Sequence, residues 1–584
     1  MQYRGPNGFV DQARTLLPDV SRRRFVQGLV GGGLVGSTFA AQQFASAAEV
    51  SSPSNGAQEL SGTVFNLGME ELPVNFTGKM RMGLAINGSI PAPTLRWREG
   101  DEVTINVTNK LSERTSVHWH GILLPYQMDG VPGISFDGIA PGETFQYRFK
   151  VRQSGTYWYH SHSGFQEIRG MYGAIIVEPR EEDVISADRD HVILLSEWTD
   201  EDPMYVFSRL KTLGHLYNFR QPTLPDLLSE IARQGLDSAM SKREMFAIMR
   251  MKPTDLGDLS AATLTYLMNG TSPAGNENRL FSKGETVRLR FINGAGNTFF
   301  DVRIPDLPMT VVQADGLNVE PVTVDEFRCA PGETYDVLVK PTEDAYTIFA
   351  ETMERSGFAM GTLSVRPGLA APIPQRREPQ WLSMTDMMGT EMHEGMAMSD
   401  HSQHSMPEMS QVQVRHASSE FGPSTDMRVD TPRTNLDDPG IGLREASHRV
   451  LTYADLHGLN GVVDAREPDR EIELHLTGSM ERYSWSIDGL EYGKSTPVHF
   501  RYGERLRVIL HNDTMMTHPM HLHGMWSDLE DENGNFQTRK HVLSVQPAQQ
   551  LRFRVTADAL GKWAWHCHLL FHMDAGMFRE VVVA

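Results

Sequence analysis

GDEVTINVTN (Gly100–Asn109), GETVRLRFIN (Gly284–Asn293) and GERLRVILHN (Gly503–Asn512) are three versions of one ten-residue stretch. Each opens on Gly and an acidic residue, alternates apolar with polar side chains, and closes on Asn. Alternation of that kind is the signature of a half-buried strand. A second repeat follows each at a similar distance: Pro141-Gly-Glu-Thr-Phe145, Pro331-Gly-Glu-Thr-Tyr335 and, more weakly, Pro547-Ala-Gln-Gln-Leu551. Repeats recurring in this order mean repeated structural units. The chain of 584 residues is therefore expected to be all-β and to hold three copies of one β-domain.

The copies differ in one respect. Eighteen and twenty residues after the repeated Gly stand His118 and His120 in copy one, and His521 and His523 in copy three. Copy two has Val302 and Ile304 there. Nineteen and twenty-one residues after the repeated Pro stand His160 and His162, then Ala350 and Thr352, then His566 and His568. A spacing of two puts both imidazoles of a pair on one strand face. Copies one and three should thus present eight imidazoles to each other, with copy two as a spacer. Eight are too many for one ion. Three copper ions suit them, a pair sharing six and a third with two, and such a cluster can reduce O₂ without releasing partly reduced oxygen.

Copy three carries one thing more. Residues 563–577 read WAWHCHLLFHMDAGM. Cys567 lies between His566 and His568, and His572 and Met577 follow. A thiolate, imidazole and a weak thioether are the ligand set of a blue electron-transfer copper site. On a strand the two flanking histidines face away from the cysteine. The peptide then links two metal centres covalently. Copy one has Ser161 where copy three has this cysteine.

These motifs together resemble the three-domain multicopper oxidases over roughly residues 60–584. Within that family the chain is most similar to the periplasmic copper-resistance oxidases of the CopA/PcoA type, through its Met/His-rich linker, Arg433–Arg444 (RTNLDDPGIGLR) and Tyr266–Gly270 (YLMNG). The resemblance implies three cupredoxin-like Greek-key β-sandwich or barrel domains and four coppers. By it, His518, Cys567, His572 and Met577 hold type 1 copper, and His118 and His521 hold type 2. His120, His160, His162, His523, His566 and His568 hold the type 3 pair. Electrons would enter at type 1 one at a time and pass through Cys567 to the cluster, where O₂ becomes water. The expected substrate is Cu(I), oxidised to the less membrane-permeant Cu(II). A laccase-like phenol oxidase and a copper-sequestering protein are the alternatives. Asp129, eleven residues after His118, aligns with an acid that assists proton delivery in related oxidases.

The expected organisation is a signal segment at 1–47, domains at 60–180 and 185–367, a linker at 368–445, and a third domain at 446–584. A helical insertion is expected at about 222–260, with Met240, Met245 and Met249 packed in its core. Ser21-Arg-Arg-Arg-Phe-Val26 resembles a twin-arginine export signal. A glycine-rich stretch and an A-x-A cleavage site, Ala45-Ser-Ala47, follow it. A periplasmic monomer exported by that machinery is expected. No run has the 18 or more apolar residues of a membrane helix, so no stable membrane insertion is expected. Loss of residues 1–47 takes three net positive charges from a chain of formal charge −20 and leaves −23. That balance disfavours nucleic acid and draws metal cations. Cys567 being claimed by copper, Cys329 should be a free, inert thiol.

Residues 384–409 hold eight methionines and three histidines with no clean amphipathic period. Thioethers are soft ligands for Cu(I), so extra copper is expected there. The Cu(I) substrate should dock where this segment meets the type 1 site. Met384 and Asp386 would come from the segment, and Met516, two residues before His518, from the other side. Related cuprous oxidases have an acid four before that histidine; here the residue is Thr514, and Asp513 is the substitute candidate.

Overall fold

The three repeated stretches become three equivalent strands. Glu102–Asn109, Val287–Asn293 and Arg505–Asn512 each run parallel to one neighbour and antiparallel to another. The parallel neighbours are Val64–Val74, Arg189–Thr199 and Arg470–Ser479. The antiparallel ones are Thr144–Lys150, Thr334–Val339 and Gln550–Thr556, which begin at the Pro-containing repeat. This computed structural model describes residues 58–248, 250–383, 386–387, 389 and 414–584. The signal segment and most of the Met/His-rich stretch, with Met384 and Met249, lie outside the described residues.

Each copy is a β-sandwich of two sheets: five and four strands in the first, six and five in the second and third. Glu102–Asn109 alternates buried and half-buried positions, as its pattern predicts. Val287–Asn293 does not; it is buried on both faces. The reason is the polar half of its pattern. Arg288 and Arg290 are covered and both pair with buried Asp336. Arg290 also donates to the Thr156 hydroxyl of copy one at 2.9 Å. The second sandwich is thus clamped to the first through charges rather than exposing them.

The histidine strands lie in the other sheet of each sandwich. His118–His120 pairs antiparallel with Gly155–His160, setting His118 opposite His160. His518–Leu522 pairs with Gly561–Cys567, setting His521 opposite His566 and Met520 opposite Cys567. In copy two the same register sets Val302 opposite Ala350. The repeat arithmetic therefore describes one pairing written three times.

Three helices interrupt copy two between Arg189–Thr199 and Leu264–Met268. They are Pro203–Leu210, Leu224–Gln234 and Leu236–Ile248. Asp202 caps the first by accepting from Met204 N and Tyr205 N. A Thr223/Asp226 capping box starts the second, and Gly235, at φ 86°, separates it from the third. Met240 is exposed and Met245 half-buried, so Met240 does not pack in a core as expected. The third helix shows little segregation of apolar residues to one face, so its spacing of methionines does not define a buried side. Among the described residues no helix is long and apolar enough to cross a membrane. Cys329 is a free, buried thiol, pushed well above its ordinary pKa by burial.

Candidate metal centres

Two groups of metal-ligating side chains flank one peptide. In the first, the Cys567 sulfur lies 3.5 Å from His518 Nδ1 and 3.9 Å from His572 Nδ1, and the two nitrogens are 3.2 Å apart. His572 is delivered by the short helix Leu570–Asp574, which follows Cys567 at once. The chain then returns so that the Met577 carbonyl accepts from Cys567 N at 3.1 Å, and Met577 N donates to the His572 carbonyl. All four residues are buried. The Trp485 ring stacks on His572 at 3.9 Å and meets His518 edge-on. With both Nδ1 atoms turned to the sulfur, each Nε2 needs a partner. His518 Nε2 has the Thr514 hydroxyl at 2.6 Å. His572 Nε2 makes no hydrogen bond, but a carboxylate oxygen of Asp258, a residue of copy two, lies 2.9 Å away as its charge partner. Burial raises the Cys567 thiol pKa and lowers that of His518 well below its usual value. A neutral His518 is ready to ligate, while a thiolate here requires a cation.

The second group contains the eight paired histidines of copies one and three. The two copies meet ring on ring: His118 stacks on His523 at 3.9 Å and His120 on His521 at 3.8 Å. The Nε2 atoms of His162 and His523 lie 3.3 and 3.0 Å from His566 Nε2. The other side of five of these rings is held from outside, while His120 and His568 have no hydrogen-bond partner on either nitrogen. The Asp129 carboxylate accepts from His523 Nδ1 at 2.9 Å and lies 3.3 Å from His118 Nδ1, which also donates to the Asp129 carbonyl at 2.8 Å. Glu167 lies 2.6 Å from His160 Nδ1. The His541 carbonyl accepts from His521 Nδ1 at 2.7 Å, and that of Cys567 from His566 Nδ1 at 2.9 Å.

These bonds put the proton on Nδ1 and leave Nε2 free to ligate. The Nε2 atoms of His118, His120, His160, His521 and His568 are buried without a hydrogen-bond partner. Orphaned imidazole nitrogens aimed into one space fit metal ions and little else. Burial and the neighbouring imidazoles hold His120, His162, His521, His523 and His568 well below their ordinary pKa, and His566 at about 3. All are therefore neutral at neutral pH.

The residues expected to dock Cu(I) do not converge in the same way. The Asp386 carboxylate accepts from Ser383 N at 2.8 Å and pairs with Arg444 at 2.6 Å. Asp513 accepts from Val429 N and pairs with His475. Met516 is buried, its carbonyl accepting from Asn512.

Four residues escaped the sequence reading: Glu167, Asp258, Thr514 as a ligand partner, and His541. Glu167, five residues past His162, had a local signal. His541 is a ninth imidazole, its ring 4.8 Å from that of His120, and no repeat marks it. Copy two is also more than a spacer. Beyond Asp258, its Asp315 carboxylate accepts from His541 N at 3.1 Å.

Three multicopper oxidase family models match residues 69–182, 189–366 and 465–584. The chain belongs to the multicopper oxidases and is an oxidoreductase whose family uses copper. It is 50% identical to Copper resistance protein A of Escherichia coli, covering 97% of this chain and 100% of that one. Similarity to Laccase-1 of Cryptococcus neoformans is lower, 26% over 87% of this chain and 78% of that one. The crystal structure of Fet3p, a multicopper oxidase that functions in iron import, superposes with a TM-score of 0.63 at 19% identity, covering 90% of each chain. The fold is that of the cupredoxin-based oxidases.

Proposed function

We propose that this protein is a copper-resistance oxidase of the periplasm, acting as a monomer after twin-arginine export, that takes single electrons from Cu(I) and reduces O₂ to water. Four Cu(I) ions lose one electron each while O₂ takes up four electrons and four protons to give two waters. Bound copper supplies the one-electron redox chemistry. His518, Cys567, His572 and Met577 hold it at the entry site. His118 and His521 hold the single ion of the cluster. His120, His160, His162, His523, His566 and His568 hold the pair.

The carrying observation is that Cys567 faces one group of ligands while its neighbour His566 faces the other. One peptide is thus the shortest covalent path between them. Asp129 orients two of the cluster imidazoles, and its carboxylate is proposed to pass protons to the oxygen site. Substrate entry is assigned to the neighbourhood of Met516 and the Met-rich segment that begins at Met384. Asp386 and Asp513, held by Arg444 and His475, would join only by exchanging those partners.

O₂ uptake should be measured with Cu(I) and with a phenol, on the full chain and on one lacking residues 390–409. The proposal expects a blue protein that consumes one O₂ per four Cu(I), with turnover falling more for Cu(I) than for the phenol on deletion. Copper binding without O₂ uptake would identify a sequestering protein. Phenol turnover without Cu(I) turnover would identify a laccase.

A further inference from the structure

Copy three holds a second imidazole–carboxylate cluster, on the sheet opposite its copper strands. His475 and His511 are register partners on the parallel strands Arg470–Ser479 and Arg505–Asn512. Asp513 stands two residues after His511, just past the end of that strand. His416 and Glu420 come from the segment that returns from the linker, Glu420 within the 3-10 turn Ser418–Phe421. None of the five belongs to the histidine pairs of the two copper groups.

Four donor atoms form a ring. His416 Nδ1 is 2.7 Å from Glu420 Oε2, and His475 Nδ1 is 2.7 Å from Asp513 Oδ2. The cross distances, His416 Nδ1 to Asp513 Oδ2 and His475 Nδ1 to Glu420 Oε2, are both 3.7 Å. The second carboxylate oxygens are anchored elsewhere: Glu420 Oε1 accepts from Ala417 N and Asp513 Oδ1 from Val429 N. Each carboxylate therefore has one oxygen fixed to backbone and one aimed at the ring. Metal–ligand bonds of about 2.0–2.1 Å place neighbouring donor atoms about 2.9 Å apart at the right angles of a tetragonal Cu(II) site and about 3.3 Å apart at a tetrahedral angle. The observed edges bracket both values.

The charge balance accommodates a divalent cation as well as plain ion pairs. Glu420 and Asp513 are both essentially buried. Two neutral imidazoles would leave two negative charges uncompensated. Two imidazolium ions would balance them but would press His511, stacked on His475 at 4.5 Å, against a cation. A divalent ion with two neutral imidazoles and two carboxylates is electrically neutral. His416 Nε2 then faces Asp430 at 3.4 Å, and His475 Nε2 faces Glu473 at 3.8 Å. A carboxylate behind a ligating imidazole is the usual support for such a ligand.

We infer that His416, His475, Glu420 and Asp513 form a site for a divalent transition metal, with Cu(II) as its occupant. Among divalent first-row ions Cu(II) binds nitrogen–oxygen sets most tightly, and the ring has no sulfur to favour Cu(I). Its position suits an oxidation product. Asp513 is joined to Thr514, whose hydroxyl touches His518. That last assignment, Cu(II) as product, rests on the proposed function; the divalent site itself does not.

The four-copper holoenzyme should be incubated with Cu(II), passed through a desalting column, and assayed for metal content and by electron paramagnetic resonance. Wild type should retain one more equivalent of Cu(II) than Glu420→Gln or His416→Asn. The wild-type-minus-variant difference spectrum should show an axial copper signal coupled to two nitrogens. All three proteins should keep the blue band, which verifies folding. Anomalous diffraction from wild-type crystals soaked in Cu(II) should show density between His416 and His475. Equal metal content in all three proteins, or no density there, would reduce the site to an ion-pair cluster only. Cu(II) bound at this ring in a protein that shows no O₂ uptake with Cu(I) would overturn the product assignment and the proposed function together, and leave the metal site standing.

Discussion

Replacing Asp129 with Asn changes one atom and should unbalance the oxygen site. The Asp129 carboxylate faces two imidazole N–H groups, at 2.9 Å from His523 Nδ1 and 3.3 Å from His118 Nδ1. A carboxylate accepts from both. A carboxamide offers one acceptor and one N–H₂ donor. If its oxygen serves His523, its N–H₂ meets the His118 Nδ1 proton, which the Asp129 carbonyl already binds at 2.8 Å. If it turns the other way, His523 is left facing a donor. The conflicted ring can escape by moving its proton to Nε2, the atom needed for metal. The loss is about one charge-assisted hydrogen bond, ~1.5–3 kcal/mol, or about 10- to 100-fold in copper affinity at the cluster. The assay is copper retention against a graded chelator, with the blue band as internal control, because Asp129 has no bond to the Cys567 group. The band should persist while cluster copper leaves at 10- to 100-fold lower chelator. If the variant keeps its copper but loses O₂ uptake, the proton role stands without the orienting one. Asp129→Asn with wild-type copper retention and wild-type O₂ uptake would refute both.

Thr514→Val removes the only hydrogen-bond partner that His518 Nε2 has among the described residues and leaves a buried N–H unsatisfied; denaturant titration should show a loss of about 1–3 kcal/mol with a shifted blue band. Asp258→Asn replaces the carboxylate at His572 Nε2 with a neutral group; the His572 imidazole becomes a poorer electron donor, and the potential of the blue site should rise in a redox titration, with no change in cluster copper. The copper-free protein should lose stability as pH falls below about 6.5. His541 and His566 have folded pKa values of about 4 and about 3. The unfolded chain therefore binds protons first, and stability falls until those values are reached, by on the order of 1 kcal/mol per pH unit for each such imidazole. A denaturation midpoint unchanged between pH 7 and 5 would contradict this, and the copper-loaded protein should resist the same change.

The grouping of the candidate ligands was legible because metal chemistry restricts them to few residue types and the strand period restricts their spacing. His118 with His120, and His566 with His568, could be placed on shared faces from that period alone. The three-copy fold was legible because the Gly and Pro repeats survive in all copies. The outer partners were not. Asp258 reaches His572 across a domain boundary, and Asp315 reaches His541 the same way. Neither has a spacing relation to what it touches. Thr514 stood in view as the residue without the expected acid, yet a hydroxyl serves His518 Nε2 as an acceptor just as a carboxylate would. Met240 misled because a four-to-five spacing of methionines fits a helix whether or not anything covers that face.

His162 and His566 touch across 404 residues of sequence, and the register pair that holds such histidines is filled by Val302 and Ala350 in the middle copy. The metal cluster is thus a property of an interface, and neither half exists as a site alone. A growing chain has no cluster until its last sandwich has closed on its first. In the proposed oxidase, loading of the cluster is expected to follow folding, and a truncated or misdocked chain to lack cluster copper. Whether an individual molecule carries the cluster is then a record that its two ends have met.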